Sequence, residues 1–450
     1  MEKKKFDVFV VGSGTAGKIV AEKCVAQGLK VAMAENRELG GTCANRGCDP
    51  KKVLLGATEI MQRANDLEGN GIEAKPQLNW KSLQKFKKTF TSHIPKDTKK
   101  DLKEKNITLF SGAPKFIGLN TMVVNNIEIE AEKIVLATGL VSRKIDIKGS
   151  NYLKQSDDFL SLKQLPKKIT FLGAGYIGME FAQMAARAGS KVIIIDRSDS
   201  ALKSFEDDMV SLVTKESERL GIRFVYNAEV TKIKRKGKKF KLTYTEGKAT
   251  KSIKTSMVFN TAGRIPSIEN MDLEAGVVNY DTNGIIVDEY LRSKSNKNVF
   301  ACGDVADHSL PLSPLSGFEA NIVAENLTQT KLRKIKTPVV PSVVFTLPNL
   351  ASVGYSEEEA LSRYKNVIVK SDNSSHWYNN KRINGGSYAY KVLINERTDQ
   401  IVGAHLVGPE ASEIINLFTM AMNTGTMTKE IKMMIFTYPS WSNDIKSMLA

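Results

Sequence analysis

The chain has 450 residues, a formal net charge of +16, 42% hydrophobic and 25% charged residues, and only four cysteines. That length allows two to four domains, each with its own core. No apolar run approaches the ~20 residues of a membrane span, and so few cysteines argue against a secreted disulfide scaffold.

No signal-type apolar core precedes the first strand-like run, so a reducing, cytoplasmic setting without a membrane partner is expected. That run, Phe6-Asp7-Val8-Phe9-Val10-Val11, leads into Gly12-Ser13-Gly14-Thr15-Ala16-Gly17, a helical stretch and a second strand ending at Glu35. The first glycine of such a loop turns the chain, and the second lets the backbone approach a pyrophosphate. The third lets helix and strand pack closely, and the acid accepts hydrogen bonds from ribose hydroxyls.

Next comes Gly40-Gly41-Thr42-Cys43-Ala44-Asn45-Arg46-Gly47-Cys48-Asp49-Pro50-Lys51, with two cysteines five positions apart. They are close enough to bridge if the segment bends into the first turn of a helix, whose N-terminus would favour a thiolate. Beside a flavin such a pair makes a two-electron relay. A zinc site would need two more ligands at short spacing, and none follow; no metal site is expected. Cys24 and Cys302 read as small core residues.

The lysine-rich stretch 81–105 reads as a solvated helix, and 122–129 as part of a small antiparallel meander. The first half closes with Ile134-Val135-Leu136-Ala137-Thr138-Gly139. A second copy of the pattern follows: a strand, Gly173-Ala174-Gly175-Tyr176-Ile177-Gly178, a helix, and a strand ending at Asp196. In both copies the acid lies 18 positions after the third glycine. One such loop is a weak signal, whereas two in strand–turn–helix–strand context are strong. Two nucleotide sites follow, and a flavin plus a nicotinamide is the economical pairing.

The basic run 232–239 reads as a hairpin turn, and the second half closes with Asn260-Thr261-Ala262-Gly263-Arg264. Neither basic stretch interleaves aromatics, so no nucleic-acid partner is expected; attraction of anionic partners is the sharper reading of the charge. A buried strand ending in Gly303-Asp304 places a carboxylate where a polyol could bind. Beyond Lys334, Pro338 and Pro341 mark a linker to a separate α+β region containing a helix over 411–424.

These motifs together resemble the flavin-dependent pyridine nucleotide–disulfide oxidoreductases, the group of glutathione reductase, dihydrolipoamide dehydrogenase and mercuric reductase. The resemblance spans essentially the full length and includes Gly403-Ala404-His405-Leu406-Val407-Gly408-Pro409. It implies an α/β fold of two Rossmann-like domains plus a C-terminal α+β dimerisation domain. The expected limits are 1–147 with 269–334 for the FAD domain, 148–268 for the NAD(P) domain and 335–450 for the last.

The resemblance further implies FAD on Gly12, Gly14 and Gly17, with Glu35 at the adenosine ribose and Asp304 at the ribityl chain. Gly41, Thr42, Thr138, Gly139 and Gly303 complete that site. NAD(P) falls to Gly173, Gly175, Gly178, Asp196, Gly263 and Arg264, with Tyr176 covering the nicotinamide pocket. Cys48 sits against the flavin, Cys43 exchanges with substrate, and Lys51 near the flavin pairs with Glu180. A homodimer is implied, in which the last domain serves the partner's thiols.

Two positions depart from the family. Its C-terminal box, His-x-His-Pro-Thr-x-Ser-Glu, is here Phe436-Thr437-Tyr438-Pro439-Ser440-Trp441-Ser442-Asn443. Tyr438 stands at the acid–base histidine and Asn443 at its orienting glutamate. A phenol, ordinarily near pKa ~10, donates a hydrogen bond but is a poor base at neutral pH. Of the other histidines, His405 reads as structural, His308 as a loop residue, and His93 and His376 carry no signal. Asp49 stands where the family is apolar, and a carboxylate beside Cys48 opposes its thiolate.

Asp196 favours a free ribose and NADH, whereas Arg197, Lys203 and Ser198 suit a 2′-phosphate; NADPH is the preferred reading, with NADH open. The acceptor expected is a small disulfide of the glutathione kind. The alternatives are an acceptor needing no proton shuttle (a quinone, metal ion or small oxidant), a dihydrolipoamide dehydrogenase-like reaction, and a flavin-bearing sensor without turnover.

Overall fold

A computed structural model describes residues 2–308 and 310–450. They divide into two compact units. The first takes the chain up to Val53, then Gln84–Lys144 and Gly263–Lys336; the second takes Leu54–Leu83, Ile145–Ala262 and Thr337–Ala450.

In the first unit the apolar runs become the centre of a seven-stranded sheet. Its order is Thr108–Ser111, Val31–Glu35, Glu2–Val11, Ile127–Leu136, Thr121–Val124 and Lys115–Gly118, with Val299–Ala301 also beside Ile127–Leu136. The inner pairings are parallel, and the last three hairpin strands form an antiparallel meander. Val8, Phe9, Val10, Met33, Ile134 and Val135 are at most 1% exposed, as strands covered on both faces require. Helices Thr15–Ala26 and Ser313–Thr328 pack against each other. Cys24 and Cys302 lie inside this core, and burial pushes the Cys24 thiol up to about 12 and the Cys302 thiol up as well.

The second unit contains a four-stranded parallel sheet, Arg223–Val225, Lys191–Ile195, Lys168–Leu172 and Met257–Asn260. A separate antiparallel meander runs through Ala228–Lys236, Lys239–Glu246 and Ala249–Thr255. Phe159 stacks on Phe181 with centroids 4.3 Å apart, and Phe171 stacks on Phe259 at 5.4 Å, filling the core beneath the parallel sheet. The α+β region is a five-stranded sheet, Ser342–Val344, Asn349–Gly354, Gln400–Gly408, Ala389–Asn395 and Val367–Asn373. Helix Ala411–Thr424 packs on it through the buried Ile414, Phe418 and Ala421. His405 is 3% exposed: its Nδ1 is 2.8 Å from the Ser352 hydroxyl and its Nε2 3.0 Å from the Tyr355 carbonyl, which satisfies the ring inside the sheet.

One expectation needs correcting. The stretch 81–105 is not one solvated helix but two, Trp80–Thr91 and Ile94–Glu104. Pro95 sits in the first turn of the second helix, where its missing N–H is harmless, but it could not continue the first. Lys87 on the first helix is 6% exposed, so that face is not simply solvated. Among the described residues no helix is long and apolar enough to cross a membrane.

Candidate active site

The first glycine loop is built by close backbone approach. Gly12 has φ +107, and a Cβ there would collide with the Ala137 carbonyl. A Cβ on Gly17 would strike the Gly12 carbonyl, and one on Gly41 would strike Gly14 Cα, so the loop and the start of the cysteine segment touch through bare backbone. Glu35 is oriented at the strand end: Ser13 donates to Oε2 from its backbone N–H at 3.0 Å and its hydroxyl at 2.7 Å, and Arg37 N–H donates to Oε1 at 2.8 Å. A carboxylate offers about four acceptor positions, so capacity for a ribose hydroxyl remains. The following helix has no acid in its first turn, leaving its positive end for an anion.

Cys43 lies within the short helix Gly41–Arg46, and Cys48 opens the helix Cys48–Asp66. Gly47 separates them; a Cβ on it would lie 2.9 Å from the Thr42 carbonyl and 3.1 Å from Cys43 Cα, so a side chain would push the two cysteines apart. Asn45 braces the turn by donating to the Leu39 and Gly41 carbonyls at 3.0 and 2.9 Å, and Arg46 pairs with Glu38 at 2.7 Å. Both cysteines are free thiols, Cys48 exposed and Cys43 half-buried.

The electrostatics make the pair unequal. A hydrogen bond from Cys43 holds the Cys48 thiol down to about 6, with help from the Ser313 hydroxyl and the Lys51 charge, against burial and the Asp49 carboxylate. Cys43 is driven up, chiefly by the same hydrogen bond and by burial. Ser313 Oγ lies 3.5 Å from Cys48 Sγ. It is 265 positions from Cys48, at the start of the helix Ser313–Thr328, and no local pattern in the sequence announces it. Asp49 acts in the expected direction.

Further along the first unit, Asp304 accepts the Ser316 hydroxyl at 3.1 Å. Burial pushes its carboxyl up, opposed by the nearby Arg264 charge. Arg264 donates to the Leu140 carbonyl at 2.6 Å, and its strand Arg264–Pro266 pairs with Leu140–Ser142. Arg264, expected at the nicotinamide nucleotide, is thus brought next to Asp304, expected at the flavin. His308 is exposed in the loop beyond.

In the second unit Gly173 has φ +111, and a Cβ there would lie 2.5 Å from the Thr261 carbonyl. Gly175 faces open space, and a Cβ on Gly178 would meet the Gly173 carbonyl. Thr261 donates to the Leu172 and Gly173 carbonyls at 3.0 and 2.8 Å, clamping this loop. The Asp196 carboxylate accepts the N–H of Ala174 at 2.5 Å and of Ser198 at 2.7 Å. Tyr176 opens the helix Tyr176–Arg187 and is 47% exposed. Glu180, one turn on, is 1% exposed and accepts the Phe345 N–H at 2.8 Å. Arg197 faces Glu229 at 3.8 Å, and Lys203 is paired with Asp199.

The C-terminal segment presents Tyr438 at 72% exposure, its ring 6.5 Å from that of Tyr378. The segment is anchored from behind. Asn379 donates to the Ser440 carbonyl at 2.9 Å and to the Asp444 carboxylate, which also accepts the Tyr388 hydroxyl at 3.0 Å. Ser440 receives the Asn443 N–H at 3.3 Å. Among the described residues no side chain hydrogen-bonds the Tyr438 hydroxyl, and no group of three or more His, Cys, Asp or Glu side chains could hold a metal ion.

Two glycine-loop modules, each with an oriented acid, and a dithiol of unequal acidity define a class: a nucleotide-dependent oxidoreductase working through sulfur. The chain belongs to the pyridine nucleotide-disulphide oxidoreductase family, whose profile matches residues 6–325 and whose dimerisation-domain profile matches 340–449. It is 30% identical to a glutathione reductase of Burkholderia cepacia over 100% of this chain and 99% of that one. It is 29% identical to a mercuric reductase of Lysinibacillus sphaericus over 98% of this chain and 81% of that one. Its fold matches the HOCl-induced flavoprotein disulfide reductase RclA from Escherichia coli with a TM-score of 0.87 and 26% identity, covering 98% and 99% of the two chains.

The family is FAD-dependent and draws electrons from NAD(P)H. Residues of the first unit fit such a group. The Thr138 Oγ1 is buried without a partner beside the glycine loop, as a polar atom awaiting a ligand would be. Gly12, Gly14 and Gly41 form the tight backbone turn that such a loop needs, with no side chain between the strand end and the cysteine segment.

Proposed function

We propose that this enzyme is an NADPH-dependent reductase of a small disulfide of the glutathione kind, acting through Cys43 and Cys48. Bound FAD supplies the two-electron link between nicotinamide and sulfur, held through Gly12, Gly14, Gly17, Glu35, Gly41, Thr42, Thr138, Gly139, Gly303 and Asp304. The nicotinamide nucleotide falls to Gly173, Gly175, Gly178, Asp196, Arg197 and Lys203, under Tyr176. Gly263 and Arg264 serve the same end of the chemistry, Arg264 with its charge toward Asp304.

The observation that carries this reading is the asymmetry of the thiols. At neutral pH Cys48 is largely thiolate while Cys43 keeps its proton. The hydrogen bond between the sulfurs gives that proton a place to go as Cys43 attacks the substrate disulfide. One substrate sulfur leaves as a thiolate, and the other stays bonded to Cys43. Cys48 then attacks Cys43, releasing the second substrate thiol and leaving a Cys43–Cys48 disulfide. One NADPH restores the dithiol for each disulfide reduced. Lys51 steadies the Cys48 thiolate.

Tyr438 donates a proton to the leaving thiolate, a role within reach of a phenol. We read the assembly as a homodimer, consistent with the dimerisation domain, with Tyr438 of the partner subunit serving each thiol pair. The Tyr438→Phe enzyme should reduce disulfides on the order of 10²-fold more slowly, yet oxidise NADPH unchanged with ferricyanide. Unchanged disulfide turnover would remove Tyr438 from the mechanism.

One observation favours a second reading, an acceptor that needs no proton donor, such as a quinone or metal ion. Among the described residues no carboxylate hydrogen-bonds the Tyr438 hydroxyl, and the nearby Asp444 is engaged by Asn379 and Tyr388. Steady NADPH oxidation with such an acceptor, and none with glutathione disulfide, would select it. For the coenzyme, Arg197→Ala should raise the KM for NADPH far more than for NADH; equal effects would point to NADH.

A further inference from the structure

The adenosine end of the second nucleotide site carries acids as well as cations. Asp196 ends its strand with both carboxylate oxygens on backbone N–H groups, of Ala174 in the glycine loop and of Ser198. Leu202 N–H returns to the Ala174 carbonyl at 3.1 Å, which ties the 199–203 turn to that loop. On the other side, Ala228 N–H meets the Asp196 carbonyl and Asn227 N–H the Ser198 carbonyl, both at 2.9 Å. Those contacts bring Glu229, next along the strand, to Arg197. The two cations suited to a 2′-phosphate therefore already have carboxylate partners: Arg197 has Glu229 and Lys203 has Asp199.

We propose that Asp199 and Glu229 are specificity-determining residues of the coenzyme site, which hold Lys203 and Arg197 in ion pairs and so weaken selection for a 2′-phosphate over a 2′-hydroxyl. The proposal rests on the reading that Arg197 and Lys203 meet that phosphate. Side chains of both pairs are more than half exposed, from 55% for Lys203 to 71% for Arg197. Surface pairs of this kind are weak, so a phosphate carrying about two negative charges displaces the carboxylates. The displaced carboxylates remain beside it and repel it. Lys203 holds the Asp199 carboxyl below the usual carboxylate range, so the repelling charge is present at neutral pH. NADH has no charge at this position and is indifferent to both acids.

The test uses the full-length enzyme and two probes, adenosine 2′,5′-bisphosphate and 5′-AMP, titrated calorimetrically at low salt, alongside kcat/KM for NADPH and NADH. Asp199→Asn and Glu229→Gln should each tighten the bisphosphate by about three- to tenfold. Binding of 5′-AMP and kcat/KM for NADH should stay within about twofold, and high salt should shrink the gain. Arg197→Ala separates the proposal from the reading beneath it. If Arg197→Ala weakens the bisphosphate and neither acid substitution strengthens it, the acids have no selective role. If Arg197→Ala also leaves the bisphosphate untouched, the 2′-phosphate reading itself fails.

Discussion

Cys48, which opens the helix Cys48–Asp66, and Tyr438, in the C-terminal segment, are both exposed, but their surroundings are unlike. Within its own unit Cys48 has a hydrogen-bonding thiol, the Ser313 hydroxyl and the Lys51 charge. Tyr438 has a ring neighbour, Tyr378, and an anchored backbone behind it, while its hydroxyl is unengaged among the described residues. The thiol site is thus electrostatically prepared by one stretch of fold. The phenol is positioned but not tuned. On the proposed mechanism, the step at sulfur is prepared by the fold, whereas the proton step rests on a phenol the fold leaves untuned.

The sharpest way to break this contrast is to remove the prepared thiol. Cys48→Ser should abolish disulfide reduction by on the order of 10³-fold or more, whereas Tyr438→Phe costs about a tenth of that, on the order of 10²-fold. Equal losses measured by disulfide-dependent NADPH oxidation would erase the distinction. A second test addresses the preparation itself. Ser313→Ala removes a hydrogen bond to a charged sulfur, worth ~1.5 kcal/mol or more, and should raise the Cys48 pKa by about one unit. The ultraviolet absorbance of the thiolate against pH reads this.

The same titration gives the pH dependence and its sign. A thiol held at about 6, against ~8.5 in an unfolded chain, lends the reduced protein stability that is fully present above ~8.5. That contribution is lost as pH falls through about 6. Alkylation of Cys48 in the reduced protein should fall as pH drops through about 6, where the folded thiol gains its proton. The smallest effect belongs to Asp49, whose carboxylate opposes the thiolate. Asp49→Asn should lower the Cys48 pKa by a few tenths of a unit, and an upward shift would mean that Asp49 acts through something other than its charge.

Much of the architecture was legible because it rests on short-range constraints. The repeat of strand, glycine loop, helix and acid appears as drawn, since Gly12 and Gly173 occupy backbone conformations that other residues avoid and Gly17 and Gly178 leave no space for a side chain. The helix Ala411–Thr424 followed from its apolar spacing. The break between Thr91 and Ile94 lies inside a continuous lysine pattern, and Pro95, which starts the second helix, is the residue that signals it. Ser313 beside Cys48, Arg264 beside Asp304 and Glu229 beside Arg197 were not legible. Each depends on tertiary contacts that no periodicity encodes. Motif resemblance finds the groups that react, whereas their tuning neighbours come from the fold.

The central claim is that electrons from the nicotinamide reach the Cys43–Cys48 pair. The most direct measurement labels thiols in the purified oxidised flavoprotein before and after anaerobic reduction by one equivalent of NADPH, quantified by peptide mass spectrometry. The account expects Cys43 and Cys48 to gain label together while the buried Cys24 and Cys302 do not change. Consumption of NADPH with no new label on either Cys43 or Cys48 would contradict it.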